Sequence, residues 1–121
     1  MVPTVTVEKP PTGPRRKLEC GLRVLDGQHE GLTSRWRFEI AVVAPSRIEL
    51  PGGRFLRRRS PVVVQVTQVF AAQVRPMGWA VEMSVNPGSP VFQLETETAL
   101  LECVIVQPAD FSWAVGLLTG R

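Results

Sequence analysis

The chain has 121 residues, of which 44% are hydrophobic and 21% are charged, and its formal net charge is +3. This length suits one hydrophobic core and is too short for two ordinary domains, and the composition excludes wholesale disorder. Each valine-rich run is interrupted within a few residues by Gln, Thr or Arg, so we expect no membrane span.

The N-terminal region is rich in proline, which removes backbone hydrogen-bond donors and favours an extended conformation. Four prolines fall within its first fourteen residues: Pro3, Pro10, Pro11 and Pro14. We therefore predict an extended N-terminal arm over residues 1–14 and a single β-rich domain over residues 15–121.

The domain begins with two segments in which apolar and polar residues alternate with a period of two, which is typical of β-strands. The first covers residues 17–24 and ends at Asp26-Gly27, and the second covers residues 35–42. In the second segment every other residue is large and apolar, namely Trp36, Phe38, Ile40 and Val42. The residues between them are Arg35, Arg37, Glu39 and Ala41. We predict that these two strands form a hairpin.

Further strands follow between turns that are rich in proline and glycine. We predict them over residues 47–50, 62–74, 79–85, 91–98, 100–106 and 111–117. The second half of 62–74 also fits a helical turn, but its valine content favours a long bent strand with a bulge near Ala71-Ala72. Residues 100–106 suit a central strand, or a short helix that begins near Thr96.

About eight short strands, with a turn roughly every ten residues, indicate an all-β protein. We predict an antiparallel β-sandwich or a small β-barrel with an extended Pro-rich arm.

The sequence offers little for catalysis. His29 is the only histidine, it lies in a hydrophilic loop, and the spacings typical of metal sites, nucleophile elbows and phosphate loops are missing. We interpret Cys20 and Cys103 as buried free thiols, the alternative being a disulfide that closes a long loop. We expect a non-enzymatic protein with no catalytic residues, no metal and no cofactor.

Charge is distributed unevenly along the chain. Residues 1–75 contain 13 Lys or Arg and 6 Asp or Glu, whereas residues 76–121 contain 1 Lys or Arg and 5 Asp or Glu. Such asymmetry suits a contact in which the basic part of one subunit meets the acidic part of another. The residues predicted to bind a partner are Arg15, Arg16, Arg54, Arg57, Arg58, Arg59, Glu95, Glu97 and Glu102.

We therefore predict a structural subunit of a larger ordered assembly, a homo-oligomer whose copies contact one another or another subunit through the arm and the charged surfaces. By analogy of architecture, a virus or bacteriophage component such as a coat, capsid decoration or tail protein fits best, with a virion location. Otherwise the location is cytoplasmic, because the N-terminus lacks a secretory pattern.

The alternative is a small β-barrel that binds nucleic acid. In this hypothesis Phe55 stacks on a base, and the phosphates are contacted by Arg54, Arg57, Arg58 and Arg59, with Arg15, Arg16 and Lys17 at the arm.

Overall fold

The computed structural model describes residues 14–52, 59–76 and 88–119, and in these ranges seven antiparallel strands form one sheet. They are β1 (Arg16–Gly27), β2 (Arg37–Ala44), β3 (Arg47–Leu50), β4 (Val62–Gln65), β5 (Gln68–Pro76), β6 (Pro90–Glu95) and β7 (Ala99–Ile105). The sheet order is β4-β3-β2-β1-β7-β6-β5. The predicted all-β, antiparallel class is confirmed. The strand predicted over residues 79–85, and residues 1–13 of the predicted arm, lie outside the described residues.

The first strand is the centre of the sheet. β1 is 12 residues long, and it pairs with β2 through residues 16–22 and with β7 through residues 20–27. The predicted hairpin of the first two strands is confirmed, since Arg16 lies opposite Val43 and Leu22 opposite Arg37. Residues 100–106, predicted as a central strand, correspond to β7, which lies between β1 and β6.

The sheet curls into a half-barrel because its two edge strands are consecutive in the chain. β4 and β5 lie at opposite edges, and only Val66 and Thr67 separate them. The Val66 N–H donates to the Ser46 carbonyl (2.9 Å) beside β3, and the Thr67 N–H donates to the Glu95 carbonyl (2.8 Å) at the end of β6. Residues 62–76 therefore pass from one edge of the sheet to the other, which brings the two edges together.

The bulge predicted near Ala71-Ala72 is confirmed in β5. Phe70 pairs with Gln93, but the next paired residue, Arg75, lies opposite Val91. Four residues of β5 therefore stand against Phe92 alone, and such an insertion bends and twists the strand. The long strand predicted over 62–74 is thus divided into β4 and β5 by a bend at Val66 and Thr67, and the bulge lies within β5.

The concave face of the sheet holds the main core, which collects alternate apolar side chains from the strands. Its largest fully buried members are Leu22, Ile48, Leu50, Phe92, Leu94, Leu101, Ile105 and Leu118.

The prediction of a last strand over residues 111–117 is wrong, because a short 3-10 turn (Pro108–Asp110) leads there into a helix, α1 (Phe111–Leu118). Alternation hid a helical spacing: Ala114, Leu117 and Leu118 follow the i, i+3, i+4 pattern and are the buried residues of α1. The helix packs against the main core. The Leu117 carbonyl accepts a hydrogen bond from the Ser46 N–H (3.0 Å).

The face of β2 that carries Arg37 and Glu39 points into the core. Hydrophobic alternation alone would place the opposite face there, the one that carries Phe38, Ile40 and Val42. Arg37 is 5% exposed on the core side, whereas Ile40 on the other face is 48% exposed. Phe38 belongs to a second, smaller apolar cluster on the outer face, where Val91, Val104 and Val106 are buried. The reversal is possible because the inward charges neutralise each other, as described below.

Candidate partner-binding surfaces

The basic surface begins where β1 begins. Arg15, Arg16 and Lys17 are all exposed. The Arg16 guanidinium turns toward α1, where its Nη2 lies 3.5 Å from Asp110 Oδ1 and its Cζ lies 5.2 Å from the centre of the Trp113 ring. Because this ion pair is solvent-exposed it contributes little to stability. Arg15 and Lys17 leave two cations exposed at this end of the strand.

The arginine cluster follows β3, and three of its members, Arg54, Arg57 and Arg58, lie outside the described residues. Arg59 is exposed, and its backbone N–H donates to the Gly52 carbonyl at 2.7 Å. A β-carbon on Gly52, whose φ is +112°, would collide with the Arg59 carbonyl oxygen. We call residues 52–60, which contain the arginine cluster, the cluster segment. Glycine is required at position 52 because the two ends of this segment meet there.

A buried ion pair holds both ends of that segment. Arg37 Nε donates to Glu39 Oε2 at 2.6 Å, and both side chains are less than 10% exposed. Arg37 also donates to the Gly31 carbonyl (3.1 Å) and the Ser60 carbonyl (3.0 Å), and Glu39 Oε1 accepts from the Gly52 N–H (2.9 Å). These bonds satisfy the buried charges and join the β1–β2 loop to the base of the cluster segment.

Glu95, the last residue of β6, and Glu97, in the turn that joins β6 to β7, are both exposed. The Thr96 hydroxyl fixes this turn because it accepts from the Ala99 N–H at 3.0 Å. The Glu95 carbonyl accepts from both the N–H and the hydroxyl of Thr67. The predicted pair of carboxylates is therefore available on a turn that is held in place.

Glu102 is not available to a partner, which corrects the prediction for this residue. It is 6% exposed, and Arg23 (Nη2 to Oε1, 2.6 Å) and Arg75 (Nη2 to Oε1, 3.2 Å) both pair with it. Burial raises the pKa of the Glu102 carboxyl, but the hydrogen bonds and charges of Arg75 and Arg23 outweigh burial and lower it overall. The Arg23 guanidinium also lies 4.8 Å from the centre of the Trp36 ring.

A cavity of about 860 Å³ opens between the end of β1 and the β1–β2 loop. It is lined by Val24, Leu25, Asp26, Gly27, Gln28, His29, Glu30, Leu32, Thr33, Ser34 and Thr98. His29, predicted as an ordinary loop residue, is partly buried and its Nδ1 lies 3.0 Å from the Glu30 carbonyl. A smaller hollow beside it shares His29 and Thr98 and includes Glu97.

The structure thus adds acidic residues that sequence reasoning did not assign to a surface. Asp26 lines one hollow together with Glu95 and Glu97, and Glu30 lines the larger cavity. Asp26 stood in the sequence as part of the turn that ends the first strand. Pairing of Gly27 with Ala99 brings that turn beside the β6–β7 turn, and this long-range pairing carries no local signal in the sequence.

Cys20 and Cys103 are both free and fully buried, as predicted. They lie on adjacent strands, two residues apart in the register, since Cys20 is opposite Ile105 and Leu22 is opposite Cys103. The hydrogen bond with Cys20 and complete burial raise the pKa of the Cys103 thiol well above its usual range. Both thiols therefore behave as small apolar core residues.

Within residues 14–52, 59–76 and 88–119, no group of three or more His, Cys, Asp and Glu side chains is arranged to hold a metal ion. The described part of the chain likewise has no helix long and apolar enough to span a bilayer.

The basic and acidic surfaces lie at opposite ends of β1. Arg15 precedes the first residue of the strand, and Asp26 is its penultimate residue. Ten residue steps at about 3.3 Å each separate Arg16 from Asp26 by about 33 Å along the strand. One strand therefore carries cations at its start and carboxylates at its end.

Comparison with known protein families, with curated proteins and with solved structures finds no match for the chain.

Proposed function

We propose that the protein is a non-enzymatic structural subunit of an ordered assembly, in which the basic end of one copy contacts the acidic end of the next. The placement of opposite charges at the two ends of β1 supports this proposal most directly. Such a contact joins two different surfaces, so it repeats from copy to copy and forms a ring when the rotation closes, or a filament when it does not.

The particle that fits this role is a viral or bacteriophage one, with the chain as a coat, decoration or tail component. This part of the proposal rests on an analogy with small, arm-bearing β-proteins. The predicted arm immediately precedes Arg15 and Arg16 in the sequence, and in this proposal it adds contacts with a neighbour beside the basic surface.

Charge exchange tests the contact. Arg15→Glu with Lys17→Glu makes both ends acidic. Glu30→Arg, Glu95→Arg and Glu97→Arg together make both ends basic, since only Asp26 then remains acidic at the second end. Arg16 is left unchanged because it contacts Asp110 and Trp113 within the chain. Neither charge-reversed variant should assemble alone, whereas an equimolar mixture should assemble, because each surface then meets one of opposite charge.

Size-exclusion chromatography with light scattering, on nuclease-treated protein at low and high salt, gives the readout. Wild-type assembly should weaken as salt rises, because exposed charges are screened, and deletion of residues 1–14 should leave a folded monomer. Assembly of each charge-reversed variant alone would overturn the head-to-tail contact. A monomer that carries nucleic acid at low salt and releases it at high salt would favour the nucleic-acid hypothesis instead.

A further inference from the structure

The cavity at the end of β1 has a lining suited to one kind of ligand. Two acidic residues, Asp26 and Glu30, are among the lining residues, as are Thr33, Ser34 and Thr98. The Thr98 hydroxyl donates to the Gln28 carbonyl (2.7 Å), and Asp26 Oδ1 accepts from the Gly27 N–H (2.9 Å), which leaves the second oxygen of Asp26 for a ligand. Aliphatic surface comes from Val24, Leu25 and Leu32, and no Lys or Arg is among the described residues that line the cavity.

A side chain with a cationic head and an aliphatic stem matches both parts of this lining. Arginine is such a side chain, because its methylene stem packs on apolar surface while its guanidinium donates several hydrogen bonds. Carboxylates are the partners that a guanidinium binds most strongly. The volume of about 860 Å³ is larger than one side chain needs, so the cavity also has room for the backbone that carries it.

The chain itself presents a suitable arginine at its other end. Arg15 is exposed, and Lys17 shares its side of the strand, whereas Arg16 is engaged by Asp110 and Trp113. The distance of about 33 Å along β1 is much longer than any side chain. Arg15 therefore cannot reach the cavity of its own copy.

We propose that the cavity lined by Asp26, Glu30 and Thr98 binds the Arg15 side chain of a second copy of the chain, with Lys17 of that copy at the acidic rim. This inference rests on the proposed head-to-tail assembly and names the site within it. It assigns the cavity a polypeptide ligand.

A peptide of residues 10–18 (PPTGPRRKL), capped at both termini, serves as the probe because it tests the cavity without requiring assembly. The protein is labelled with ¹⁵N and used as the Arg15→Glu, Lys17→Glu variant, whose own basic end cannot compete. The peptide should shift the amide resonances of Thr33, Ser34 and Thr98 in a saturable manner. The same peptide with alanine in place of Arg15 should bind about tenfold more weakly, the effect of one charge-assisted pair.

Two variants of the protein provide matched controls. Glu30→Gln in the cavity keeps the shape of the side chain and removes its charge, and it should weaken peptide binding about tenfold. Glu19→Gln makes the same change at an exposed position on β1, away from the cavity lining, and should leave binding unchanged. Absence of amide shifts at the cavity, or equal affinity in Glu30→Gln and Glu19→Gln, would overturn the inference.

The two proposals fail separately. If the mixed charge-reversed variants assemble while the peptide leaves the cavity amides unchanged, the site is wrong and the head-to-tail assembly stands. If the peptide binds in the cavity but the full chain stays monomeric under all conditions, the assembly is wrong and the cavity is supported as an arginine-binding site.

Discussion

Arg37 and Glu39 form a buried ion pair between residues two apart on β2, and the pair carries the hydrogen bonds that tie together the β1–β2 loop and both ends of the arginine-cluster segment. Removal of one partner leaves a buried charge without compensation. Glu39→Gln should therefore lower the free energy of unfolding by about 3–5 kcal/mol, measured by urea denaturation.

β3 contains the matched control for that substitution. Arg47 and Glu49 have the same spacing and a contact between the same two atoms, Nε and Oε2, at 2.7 Å, but their side chains are 26% and 29% exposed. Glu49→Gln should lower the free energy of unfolding by less than about 1 kcal/mol. Equal losses in Glu39→Gln and Glu49→Gln would show that burial does not determine the contribution of the inner pair.

The ionisation of Glu102 should make stability depend on pH. Since its pKa is lower in the folded chain than in the unfolded chain, the ionised carboxylate stabilises the fold above the usual glutamate pKa of about 4.3. This contribution is lost as the pH falls through the lowered value. Urea denaturation of wild type and Glu102→Gln should show a clear difference in unfolding free energy at neutral pH, and the difference should shrink in acid. If the difference in unfolding free energy stays constant from neutral pH into acid, Arg23 and Arg75 do not lower the pKa of Glu102.

Gly21 lies beneath the Phe38 ring on the outer face of the sheet. A β-carbon at Gly21 would lie 2.5 Å from Phe38 Cε1 and 3.0 Å from Val104 Cγ1. Gly21→Ala should therefore cost about 1–3 kcal/mol of unfolding free energy through overpacking. The loss should be smaller when Phe38→Ala removes the ring.

Gly116 gives the opposite expectation for the same substitution. It lies within α1 with nothing within 4 Å of the added β-carbon. Gly116→Ala should raise the free energy of unfolding by up to about 1 kcal/mol, because alanine favours the helix. A loss of stability in Gly116→Ala would mean that the exposed face of α1 is more constrained than its surroundings indicate.

The two buried thiols should be chemically inert. Cys20 and Cys103 should react with a disulfide reagent such as DTNB only after the protein is unfolded, because both are fully buried and the reagent has no access to them. The raised pKa of the Cys103 thiol further disfavours its reaction. Ser112→Cys adds an exposed thiol on α1 and should react at once in the native protein. Rapid native reaction of the wild type would show that β1 and β7 separate readily.

Local pattern predicted most of the strands because their apolar residues alternate and proline or glycine ends them. It failed for α1, where Phe111, Trp113, Val115 and Leu117 alternate while the residues actually buried follow helical spacing. It also gave no indication that β2 faces its charges inward, because a charged residue in the core becomes acceptable only through partners on other segments. For Arg37 those partners include Ser60, which lies 23 residues away.

The candidate surfaces show the same division between local and long-range information. Exposure of Arg15, Arg16, Glu95 and Glu97 could be predicted because each adjoins a strand end or a turn. The burial of Glu102 could not, since it depends on Arg23 from β1 and Arg75 from β5. The cavity at the end of β1 was equally hidden, because Thr98 reaches it only through the pairing of Gly27 with Ala99.

β1 pairs with β2 along its first half and with β7 along its second half, and this affects how the sheet forms during synthesis. During synthesis the first strand emerges early, but the strand that covers its second half ends at Ile105, almost eighty residues after Gly27. Until then residues 23–27 lack their pairing partner, and closure of the half-barrel waits for β6 as well. Such distant pairing slows folding. A product that ends before β7 therefore keeps the pairing among β1, β2, β3 and β4 but has no strand to join β1 to β6 and β5.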